Sequence, residues 1–130
     1  MQNIYKNLNV YQQAKTIAET IAMLVDSFDT QNIEDLTKEL VYYSKKLPEK
    51  IISAECGEYY SLRLENAFGV KRAARKLKSL LLLCQSMQLT HNDYIQFIIK
   101  ELELFRKLFL RWVANFDKQH DYQDEWFFEI

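Results

Sequence analysis

The sequence predicts an all-α fold, an antiparallel up-down-up-down four-helix bundle. Three observations lead there. The 130 residues include only two glycines and one proline, so the chain has few places to turn and its elements must be long. Apolar residues recur at spacings of three and four along four separate stretches, which is the period of one helical face. Short polar segments divide those stretches, and short connections between long helices set neighbours antiparallel.

The first helix is expected over 8–28, where Val10, Ala14, Ile17, Ile21, Leu24 and Phe28 make one stripe. Asp29, Thr30, Gln31 and Asn32 are polar residues of the types that cap helices, and they predict a turn. The second helix carries Ile33, Leu36, Leu40, Tyr43, Leu47, Ile51 and Ala54. Pro48 inside it removes a backbone donor and crowds the preceding turn, which predicts a kink or a local break. The helix should stop near Gly57, a residue able to take the left-handed conformation of a helix end. The third helix is expected over 59–88, with Leu62, Val70, Ala73, Leu77, Leu80, Cys84 and Met87 on one stripe. Its interior Gly69 costs about 1 kcal/mol relative to alanine, and close approach of a neighbouring helix is the expected compensation. Thr90 with Asp93 three residues on resembles a capping box and predicts the start of the fourth helix. There Tyr94, Ile98, Leu102, Phe105, Phe109, Trp112 and Phe116 follow a heptad rhythm. Residues 1–118 form the predicted bundle, and 119–130 an acidic, aromatic tail.

Composition excludes several classes. With 48% hydrophobic residues the chain can fill a core, and a net charge of -1 gives no general attraction to nucleic acid or anionic membrane. The longest apolar run, Leu80 to Cys84, is too short to span a bilayer, and the first residues carry no basic-then-apolar leader. Cys56 and Cys84 stand far apart and form no metal or redox pair. They read as buried free thiols of a reducing compartment, so a cytoplasmic location is expected.

No catalytic, cofactor or metal site emerges from the residues. A di-iron bundle needs two Glu-x-x-His motifs, and the sequence has none; Asp117-x-x-His120 occurs once. His91 and His120 are too few for a multi-histidine zinc site, and there is no phosphate loop or nucleophile elbow. The expectation is a protein that is not an enzyme and takes no small-molecule substrate.

Three surface features remain. Lys71, Arg72, Arg75, Lys76 and Lys78 follow one another with no acid between them, a row that would attract a phosphate backbone. An ordinary solvated face is the competing reading. The fourth helix has apolar residues beyond its main stripe, namely Ile95, Phe97, Ile99, Leu104, Leu108, Leu110 and Val113, and the third adds Leu82 and Leu83. Such a surplus predicts a homo-oligomer through these helices, with Leu82, Leu83, Phe97, Leu104 and Leu108 as candidate contacts. A wide stripe packed within one chain is the competing reading. Finally, Trp126, Phe127 and Phe128 lie among Asp121, Asp124, Glu125 and Glu129 and are a candidate docking element, for a neighbouring subunit, for a partner or over the basic row, with a frayed helix end as the competing reading.

The same residues resemble a known family. Tyr5-Lys6-Asn7-Leu8-Asn9-Val10-Tyr11-Gln12-Gln13-Ala14 is similar to the Y-K-x-L-x-V-[WY]-Q-x-A opening of small bacterial four-helix bundle proteins encoded within intervening sequences of large-subunit ribosomal RNA genes. The accessory variability determinant of diversity-generating retroelements shares that fold group. Phe28, Leu36-Thr37-Lys38-Glu39-Leu40 and Lys46-Leu47-Pro48-Glu49-Lys50-Ile51 follow in the family's order without a gap. The family's paired arginines are Val41 and Tyr42 here, so its basic contacts do not transfer by position. The resemblance implies a pentameric ring without enzymatic activity. It also implies a structured RNA or a reverse transcriptase as a partner.

Overall fold

In a computed structural model of the chain, residues 4–28 and 32–121 are described. A short 3-10 helix, Ile4–Asn7, leads into α1 (Asn9–Asp26), α2 (Glu34–Cys56), α3 (Tyr60–Ser86) and α4 (Asn92–Ala114). Each helix packs against its neighbour in the chain, and α4 closes back on α1, giving an all-α four-helix bundle around one core. Of the four adjacent pairs, α2 and α3 pack most closely and α3 and α4 least.

Side-chain bonds fix the direction of each helix. Gln13, early in α1, donates to the Glu101 carboxylate in mid-α4 at 2.6 Å. Ser27, just past α1, lies 3.2 Å from Thr90, just before α4, so these two helices run antiparallel. Glu55 at the end of α2 meets Arg63 near the start of α3 and Trp112 near the end of α4. The order is therefore up, down, up, down.

The predicted stripes form the core. Ile17, Ile21, Leu24, Leu40, Leu47, Ile51, Leu77, Leu81, Ile98 and Phe105 are all sealed from solvent. Full burial of one such side chain stabilises by about 1.5–3 kcal/mol. The two buried polar residues among the described residues are satisfied locally: the Thr20 hydroxyl donates to the Thr16 carbonyl and the Ser44 hydroxyl to the Val41 carbonyl.

Several local expectations are corrected. Pro48 does not break α2, which is helical from Glu34 to Cys56; the tight packing of α2 on α3 offsets the lost backbone bond to the Ser44 carbonyl. Gly57 is extended (φ -74°, ψ 141°), not left-handed. It is small for another reason: a Cβ there would lie 3.2 Å from the Ala54 carbonyl and 3.4 Å from Arg63 Cγ. The left-handed positions are instead Asn32 (φ 67°) and Gln88 (φ 54°). At Gln88 the chain closes α3 with a bond from Leu89 N–H to the Cys84 carbonyl, and Leu89 is buried behind it. Thr90 is not the cap of α4. Its hydroxyl is spent on Ser27, and His91 Nδ1 accepts from Asp93 N–H instead. Leu62 and Met87, expected on the core stripe of α3, are on the exposed surface instead. Cys84 is buried but Cys56 is exposed at the end of α2. At Gly69 the stem of Lys50 from α2 lies in ordinary contact distance, its Cδ 3.4 Å from where a Cβ would be, so no unusually close helix approach requires the glycine.

Candidate functional site

The loosest helix pair leaves a groove. It runs between α3 and α4, has a volume of about 870 Å³, and is lined mainly by apolar side chains. Buried Ala67, Val70, Leu102 and Phe105 form its floor, because the core stripes of the two helices converge there. Phe68 and Leu82 rise from α3 and Leu110 from α4, each about half exposed.

The rim is cationic. Lys71, Arg75 and Lys78 recur at four and three residues and so share one face of α3, and all three line the groove. Lys100 and Arg106 line it from α4, with Glu103 as the one acid. Arg106 grips Glu103 with Nε at 3.1 Å and Nη2 at 2.8 Å from Oε1. That hydrogen bonding holds the Glu103 carboxyl below its ordinary range and raises Arg106, with Lys107 and Lys78 adding smaller attractions to Glu103. The acid is thus already neutralised. Lys71, Arg75, Lys78 and Lys100 make no ion pair among the described residues.

The predicted site residues separate into groups. Of the basic row, Lys71, Arg75 and Lys78 reach the groove, whereas Arg72 and Lys76 are exposed on other faces of α3. Of the candidate contacts, Leu82 lines the groove; Leu83 is exposed outside it. Phe97, Leu104 and Leu108 follow at seven and four residues along a different strip of α4, where Phe97 and Leu104 are exposed and Leu108 packs on the core. Part of the predicted apolar surplus is core after all, for Ile95 is sealed and Ile99 and Val113 pack against the buried cluster. Trp126, Phe127 and Phe128 lie outside the described residues.

A second feature at the bundle end had no signal in the sequence. Tyr59 precedes α3 and offers its first amides no side-chain cap. The chain that leaves α4 supplies it. Tyr60 N–H donates to the His120 carbonyl at 2.8 Å, Ser61 N–H and hydroxyl both donate to the Asp121 carboxylate, and the His120 ring stacks on Tyr59 at 5.7 Å. An acid and a carbonyl at a helix N-terminus satisfy orphan donors and complement the helix dipole. Beside this cap, Arg63 lies over the Phe116 ring, 4.3 Å from its centroid, and donates to Glu55 at 2.9 Å.

Among the described residues no three His, Cys, Asp or Glu side chains gather as metal ligands, and no helix is long and apolar enough to cross a membrane. No protein-family model matches the chain, and no curated protein matches it.

Proposed function

We propose that this chain is a non-enzymatic homo-oligomeric interaction module in which α3 and α4 supply the subunit contacts. One observation carries the reading: the exposed large apolar side chains are concentrated on two helices adjacent in the bundle. Of ten large hydrophobic side chains exposed among the described residues, seven lie on α3 and α4 (Leu62, Phe68, Leu82, Leu83, Phe97, Leu104 and Leu110), against one on α1 and one on α2. Patches of that kind mark interfaces. The resemblance to the intervening-sequence proteins supports a pentameric ring. Sedimentation at micromolar concentration is the test. The wild type should run as a discrete oligomer, and Leu83→Glu with Phe97→Glu and Leu104→Glu should run as a monomer of unchanged helix content. A wild type that is monomeric throughout discards the reading.

A second reading is an accessory protein for structured RNA, possessing in its α3 row the needed charge. All five cations of Lys71 to Lys78 are exposed and no acid of α3 interrupts them. Fluorescence anisotropy with a labelled hairpin RNA separates the readings. Binding that weakens steeply with salt and is lost on changing the five cations to alanine favours RNA. No binding at low salt removes it.

A further inference from the structure

We propose that the α3/α4 groove is a docking site for an acidic amphipathic helix of a partner protein. The inference does not rest on the oligomer reading. It assigns Phe68, Leu82 and Leu110 to the partner and leaves Leu83, Phe97 and Leu104, which lie outside the groove, to the subunit contacts.

The register of the two walls comes first. Arg63 near the start of α3 lies over Phe116 just past α4, and Lys78 attracts the Glu103 carboxylate from the facing wall. Both pairs give one antiparallel register. It sets Phe68 and Leu110 toward one end of the groove, Leu82 and Ile99 toward the other, and Arg75 level with Arg106.

Charge comes second. Five cations line the groove beside a single acid, Glu103, which Arg106 already holds. They stand on both walls: Lys71 to Lys78 cover about 10 Å of α3 and Lys100 to Arg106 about 9 Å of α4, at 1.5 Å per residue. Like charges facing one another over an apolar floor repel, and an anionic occupant relieves that repulsion.

Shape comes third. From Leu64 to Leu82 the α3 wall rises about 27 Å, the length of about 18 helical residues. Buried Ala67, Val70, Leu102 and Phe105 give an apolar floor along it. The inverse of this surface is an apolar stripe with acids along both flanks, and an amphipathic helix is the structure that presents one. Its stripe covers the floor, and acids spaced three and four residues apart meet each cationic wall.

Other occupants match less of the groove. A fatty acid suits its volume, but one carboxylate does not reach cations spread along two walls. A nucleic-acid backbone uses the cations and leaves Phe68, Leu82 and Leu110 uncovered. A second copy of this chain lacks the matching face among its described residues. Met23 between Glu19 and Asp26, and Leu62 between Glu58 and Glu65, are single exposed apolar residues rather than stripes. The strip through Phe97 and Leu104 has Lys100 and Lys107 beside it, charges that the groove repels.

The probe is a labelled synthetic helix of about 18 residues, with leucines at spacings of three and four and glutamates along both flanks. Fluorescence anisotropy at physiological salt should show saturable binding to the full chain. Two altered peptides test the proposal on the unaltered protein: serines for the leucines, or lysines for the glutamates, should each weaken binding at least tenfold. Lys71→Glu/Arg75→Glu/Lys78→Glu and Phe68→Ser/Leu110→Ser should do the same with helix content unchanged by circular dichroism. Absence of saturable binding, equal binding by the serine peptide, or full affinity in Phe68→Ser/Leu110→Ser overturns the proposal. Displacement of the peptide by equimolar dodecanoate or hairpin RNA would give the groove to those ligands and overturns it too. So does an oligomer that Phe68→Ser/Leu110→Ser disperses, since a second copy would then fill the groove. The peptide should bind the Leu83, Phe97 and Leu104 variant as it binds the wild type, whatever that variant's sedimentation shows, so the two proposals fail separately.

Discussion

At the scale of single residues, the two thiols show how placement sets chemistry. Cys84 faces the core, and burial pushes its thiol up from 9.0 to about 11, partly offset by a backbone hydrogen bond. Cys56 is exposed at the end of α2. At pH 8 an aromatic disulfide reagent should therefore titrate one thiol per chain quickly, and the second only on unfolding. Cys56→Ser should abolish the fast phase, and a fast phase that survives the substitution would contradict the assignment. Because the folded Cys84 holds its proton more tightly than the unfolded one, its contribution to stability is fully present below pH 9 and is lost as pH rises toward 11. The residue scale is also where sequence reading missed most. Gly57 and Thr90 have the composition of helix signals, yet at Gly57 a Cβ would crowd the Ala54 and Ser53 carbonyls, and Thr90 is engaged by Ser27. The first depends on backbone geometry and the second on a partner distant in sequence, so neither role could be read from local pattern.

At the scale of elements, periodicity carried nearly everything. The spacing of Val10 to Leu24, Leu36 to Ala54, Val70 to Cys84 and Ile98 to Phe116 placed four helices to within about two residues of their observed ends. It also identified most of the buried side chains. Pro48 is the exception, because a local rule there is overridden by packing. Its ring leaves the Ser44 carbonyl without the bond from four residues on, while Leu47 and Ile51 on either side are fully buried. The cost persists in the folded state, so Pro48→Ala should raise stability by about 1–3 kcal/mol in denaturant unfolding. A variant less stable than the wild type would show that the proline is itself needed for the shape of α2. The α3 wall of the groove was legible as a cationic row, but that three of its five members share the groove with Lys100 and Arg106 depends on how far α3 and α4 stand apart, which no single-helix pattern encodes.

For the whole molecule, the described residues give few polar ties between helices: Gln13 of α1 to Glu101 in mid-α4, and one group at each end of the bundle. Ser27 and Thr90 join α1 to the approach of α4 at one end. At the other, the Glu55 carboxylate accepts from Arg63 on α3 and from the Trp112 indole on α4, while itself belonging to α2. Glu55→Ala leaves the half-buried Arg63 without its charge partner and Trp112 without an acceptor. It should cost about 2 kcal/mol, the range for hydrogen bonds to charged groups, in the same unfolding measurement. An unchanged midpoint would mean that the end of the bundle is held by Phe116 and its apolar neighbours alone. That single carboxylate, shared by three helices, has a further use. An indole sealed at 7% exposure and bonded to an anion emits differently from one released to water. With Trp126→Phe as background, Trp112 becomes a built-in optical gauge. Its emission would report in real time whether the far pole of the bundle is assembled, and would do so without any label being attached.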